Sequence, residues 1–79
     1  MHNTYSQVEK AIIQDGVNHG VSKKLAIAIM QRAEKDGLKP EQVAAVLGLP
    51  GSDRTLVTEA AENQMYRSAD AAAGLPQAV

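Results

Sequence analysis

The sequence predicts an all-α fold, a small bundle of four helices over about residues 6–18, 22–36, 40–47 and 53–73. Three observations predict it. Apolar residues recur at spacings of three and four rather than two. Four glycine-aliphatic pairs punctuate the chain, in "DGV" (15–17), "DGL" (36–38), "LGLP" (47–50) and "AGLP" (73–76). No run of alternating β-branched residues marks a strand. At a helix end, glycine takes the left-handed position without steric penalty. The aliphatic residue after it folds back onto the helix it leaves, and proline blocks continuation. The four pairs are unequally spaced and the segments between them do not match, so they are shared stop chemistry and not a repeat.

The first helix opens at "SQVE", a capping box in which Ser6 and Glu9 satisfy each other's backbone amides. Val8, Ala11 and Ile12 carry its apolar face, and its stop falls at Gly16 or Gly20. The second follows Ser22 as N-cap, with Leu25, Ala26, Ile29, Met30 and Ala33 in one stripe. Ile27 lies off that stripe, which predicts a helix covered on two sides and central to the core. Pro40 begins the third, where its missing N–H has no intrahelical partner to lose; Val43, Val46 and Leu47 face inward. The fourth starts at Ser52 or Asp53, with Leu56, Val57, Ala60, Ala61, Met65 and Ala69 on its inner side.

Seventy-nine residues hold a single domain, 1–79, with residues 1–5 and 75–79 expected to fray. The chain has no Phe and no Trp, so its core must come from Leu, Ile, Val, Met and many Ala. Small side chains let helices approach closely but bury little area each. A homodimer would remedy so light a core, most simply through the Ala-rich end "ADAAAG" of the fourth helix.

Cysteine is absent, which excludes disulfides and thiolate metal sites. The start "MHNTYSQVEK" lacks a basic and apolar leader pattern, and the longest apolar run, "LAIAIM", falls far short of the roughly 20 residues that span a bilayer. A cytoplasmic protein without membrane contact is expected. His2 and His19 lack the spacing of a helical metal pair, so neither metal nor cofactor is expected. His19 has Asp15 and Ser22 nearby in sequence, but "NHGVS" reads as a polar connection and not as a catalytic group. No catalytic residue is predicted, and the chain is expected not to be an enzyme.

The stretch "GLKPEQVAAVLGLPGSDRTLVTEAA" resembles the helix-turn-helix motif, with Val43, Ala44, Leu47, Gly48 and Leu49 at its characteristic positions. The resemblance implies that the third and fourth helices cross closely at Ala44, with Gly48 in the sharp turn. It also implies a DNA-binding transcriptional regulator, dimeric so as to read two half-sites. Arg54, Thr55, Thr58, Asn63, Gln64 and Arg67 would then reach DNA, with Lys23, Lys24, Lys35 and Lys39 available to phosphates.

Charge points the other way. Residues 1–40 carry +2 and residues 41–79 carry −3, with Glu59 and Glu62 inside the would-be recognition helix. Phosphate affinity comes largely from Lys and Arg, so an acidic fourth helix disfavours DNA. The favoured expectation is a small non-enzymatic helical module acting through protein contacts, an adaptor or inhibitor of a larger assembly. Its candidate interface is Glu59, Glu62, Met65, Tyr66 and Ala69. Tyr66 stands out because tyrosine combines apolar area with a polar tip.

Overall fold

The computed structural model describes residues 4–74. It is a four-helix bundle: α1 (Gln7–Asn18), α2 (Lys23–Lys35), α3 (Pro40–Leu47) and α4 (Glu59–Ala73), with a 3₁₀ turn at Arg54–Leu56. Residues 1–3 and 75–79, including His2 and the Leu75-Pro76 end of the last stop, lie outside the described residues.

Helix starts follow the side chains that cap them. The Ser6 hydroxyl accepts from the Glu9 amide (3.1 Å) while Glu9 accepts from the Ser6 amide (2.9 Å), closing the expected box. Ser22 accepts from the Leu25 amide at the start of α2. At α3, Gln42 Oε1 accepts from the Lys39 amide and Pro40 occupies the first turn.

The stops follow one rule. At the end of α2 the Leu38 amide donates to the Ala33 carbonyl and the Gly37 amide to Glu34, the paired bonds of a Schellman motif. The ends of α1 and α3 repeat that pattern around Gly20 and Gly48. Positive φ at each glycine is what the pattern requires.

Of the two stops open to α1, Gly20 is the one used: the helix runs through Gly16 to Asn18, with His19 as C-cap and Gly20 in the left-handed position, so "DGV" is not a stop. Gly16 is needed for another reason, since a Cβ there would lie 2.9 Å from the Ala26 Cβ. Glycine therefore sets how closely α1 and α2 cross. The fourth helix does not begin at Ser52 or Asp53. Asp53 instead accepts from the Thr55 amide and closes only the 3₁₀ turn; Val57 is extended, and Thr58 is the N-cap of α4, accepting from the Ala61 amide. Leu56, expected inside, is 43% exposed, and Ala60 is exposed as well.

As Ile27 implied, α2 is central and packs against the other three helices. α4 rests mainly on α2, and α3 mainly on α1. Residues 48–58 separate α3 from α4, far more than the three or four residues that join the helices of a helix-turn-helix. Ala44, the expected crossing point of α3 and α4, lines a shallow cleft with Val8 and Ala11 of α1.

The core comprises Ile12, Ile13, Ala26, Met30, Ala33, Leu38, Val43, Ala44, Ala45, Ala61 and Met65. Five of these eleven are alanine. Tyr5, in the terminus expected to fray, packs against this core.

Candidate functional site

α1 and α4 both lean on the central helices without packing against each other. The gap between them is a groove of about 380 Å³. Its floor is Ala26 and Ile29 of α2 with Val43, Val46 and Leu47 of α3. Ile12, Asp15, Gly16 and His19 form one wall, and Met65, Tyr66 and Ala69 form the other. The lining is largely apolar and contains no Lys or Arg.

Local geometry explains each wall. Residues 12, 15, 16 and 19 share one face of α1 at helical spacing. His19 Nδ1 donates to the Asp15 carbonyl at 2.8 Å and lies 3.5 Å from the Asp15 carboxylate. His19 and Asp15 thus stand at the end of α1 while Ser22 caps α2. On α4, Met65 is buried while Tyr66 stands 53% exposed at the rim. Glu62 precedes Tyr66 by one turn and is half-buried, and Glu59 is exposed in the first turn. All five residues of the candidate interface therefore lie along one flank of α4.

The residues proposed for DNA do not gather in this way. Lys23 and Lys24 open α2 while Lys35 closes it, about 18 Å away by helical rise, with Lys39 just beyond. Arg54 is exposed but reaches back to α3 and donates to the Ala45 and Val46 carbonyls, capping its C-terminus. The Thr55 hydroxyl donates to Asp53, and Thr58 caps α4. Asn63 and Arg67 are exposed on α4, with Arg67 Nε 3.4 Å from the Asn63 carbonyl.

A polar clasp closes the opposite side of the α2–α4 seam. The buried Ser68 hydroxyl donates to the Asp36 carboxylate, Gln64 Nε2 donates to the Asp36 carbonyl, and Arg32 Nε lies 3.3 Å from the same carboxylate. The Ser68 hydroxyl, and after it the Arg32 guanidinium, hold the Asp36 carboxyl below its ordinary range. Between α1 and α2, partial burial followed by the neighbouring Glu9 carboxyl raises Glu34. The Ser6 amide is the main reason that Glu9 moves down.

Among the described residues, no three His, Asp or Glu side chains cluster as metal ligands, and no helix is long and apolar enough to cross a membrane. The chain matches no protein-family model, no curated protein and no solved structure.

Of the five residues expected at the interface, Met65, Tyr66 and Ala69 line the groove and Glu59 and Glu62 do not; the α1 wall and the floor carried no expectation of a site. Gly16 held the available signal. A glycine inside a helical apolar pattern marks a close approach, and Ile12, Asp15 and His19 share its face.

Proposed function

We propose that this chain is a small, non-enzymatic helical module that acts through protein contacts, receiving its partner in the groove between α1 and α4. The observation that carries this reading is the groove itself, an apolar furrow between two helices in which Ile29, Val46 and Leu47 are only half-buried and Tyr66 stands at the rim. Apolar grooves between helices are common seats for partner segments, and Tyr at the margin of an apolar patch favours an interface.

The helix-turn-helix reading draws less support. Arg54, Thr55 and Thr58 already serve local hydrogen bonds, the cations of α2 stand at opposite ends, and Glu59 and Glu62 share α4 with Asn63 and Arg67.

Two measurements test the choice. Random-sequence duplex DNA is titrated at about 50 mM and about 200 mM salt, where phosphate binding would weaken steeply. No binding at the lower concentration is expected; micromolar binding lost at the higher one would overturn the protein-contact reading. A photo-crosslinker at residue 66 should then capture a discrete protein, and Ala69→Arg, which fills the groove, should abolish capture while leaving the helical spectrum intact.

A further inference from the structure

We infer that the segment seated in this groove is a basic amphipathic helix of a partner protein, an inference that rests on the protein-binding reading above. Shape supplies the first reason. The groove is a furrow between two helices above a floor built by two others, and its half-buried apolar residues Ile29, Val46 and Leu47 can receive the anchors that an inserted helix presents at i, i+3, i+4 and i+7.

Charge supplies the second. Asp15 lies on the α1 wall, and helical spacing puts Glu62 on the flank of α4 that carries Met65, Tyr66 and Ala69. No Lys or Arg joins them: Arg67 lines the polar cleft on the other side of α4, and Arg54 is bound to carbonyls of α3. A cation on the partner helix meets Asp15 inside the groove and Glu62 on α4 one turn beyond its lining.

A second copy fits less well. A two-fold dimer joined groove to groove uses the same patch twice, which brings together two surfaces that carry Asp15, with Glu62 close by, and no Lys or Arg. Like charges opposed across an interface disfavour that pairing.

The test uses the whole chain and two designed peptides of about 18 residues, long enough for about five helical turns. Both carry Leu at i, i+3, i+4 and i+7, one with Lys and Arg on its polar face and the other with Glu. The basic peptide should shift the amide resonances of Gly16, Ala26, Ile29 and Ala69. It should bind about tenfold or more tightly than its acidic twin, a preference that weakens with salt. Asp15→Asn combined with Glu62→Gln should reduce that preference by roughly three- to tenfold without altering the helical spectrum.

Equal binding of both peptides in the groove would overturn the charge inference and leave the protein-contact reading standing. Binding of the basic peptide outside the groove would overturn it too, as would a dimer in sedimentation that protects these amides. If neither peptide binds while Ala69→Arg still abolishes crosslinking from residue 66, the inference fails alone. If crosslinking ignores Ala69→Arg, both fail.

Discussion

Replacing Gly16 by alanine sets two effects of opposite sign against each other. Alanine in a helix interior is favoured over glycine by about 1 kcal/mol, because the unfolded glycine has more conformational freedom to lose. The new Cβ, however, would lie 2.9 Å from the Ala26 Cβ. Ordinary carbon contacts begin near 3.5 Å, so the helices must part by about half an ångström. Both atoms sit directly on helix backbones, and no flexible side-chain end can move aside. Overpacking of this kind costs about 1–3 kcal/mol. The clash wins, with a net loss of about 1 kcal/mol, which lowers the melting temperature by about 4–8 °C for a domain of this size.

Circular dichroism melts of the wild type, Gly16→Ala, Ala26→Gly and the double variant would measure it. Exchanging the two residues restores one methyl group at the crossing, so the double variant should be at least about 1 kcal/mol more stable than the sum of the single effects. A higher melting temperature for Gly16→Ala, or additive single effects, would refute the proposed tight crossing.

Three further outcomes follow from the caps and carboxyls. Ser6→Ala removes one half of the capping box and should cost about 1 kcal/mol in urea denaturation; an unchanged midpoint would mean that the box contributes nothing. Arg54→Ala uncaps the carbonyl end of α3 and should cost about 1 kcal/mol, with faster amide exchange at Gly48 and Leu49, whereas Thr55→Ala should spare those amides. Glu34 is raised when folded, first by burial and then by Glu9. The folded chain therefore holds this proton more tightly than the unfolded chain, and the associated stability is lost as pH rises through the folded value. Glu34→Gln should thus raise the melting temperature at pH 7 and leave it nearly unchanged near pH 3; equal melting at pH 7 would contradict this.

Helices were legible where local chemistry decides them. Ser6, Ser22 and Pro40 mark starts by hydrogen bonds or by a missing donor within a few residues, and Gly37 and Gly48 mark stops in the same way. The start of α4 was misread because Asp53 and Thr58 are both good N-caps. Choosing between them depends on the extended Val57 and on Arg54 reaching back to α3, a contact across nine residues. The α4 flank of the groove was readable from Met65, Tyr66 and Ala69 at helical spacing. The groove as a whole was not, because it arises from α1 and α4 standing apart, a relation between segments distant in sequence that neither helix encodes alone.

Alanine's share of the core also bears on temperature. A buried alanine exposes only a methyl group on unfolding, so less apolar surface becomes hydrated per residue than in a core of Leu and Phe. Newly hydrated apolar surface is the chief source of the heat-capacity increase on unfolding. A core in which Ala26, Ala33, Ala44, Ala45 and Ala61 stand for much of the interior should therefore have a shallow stability curve. Its folded state would lose little on cooling, and its melting would be spread over a broader range than that of a bundle of equal length packed with larger side chains.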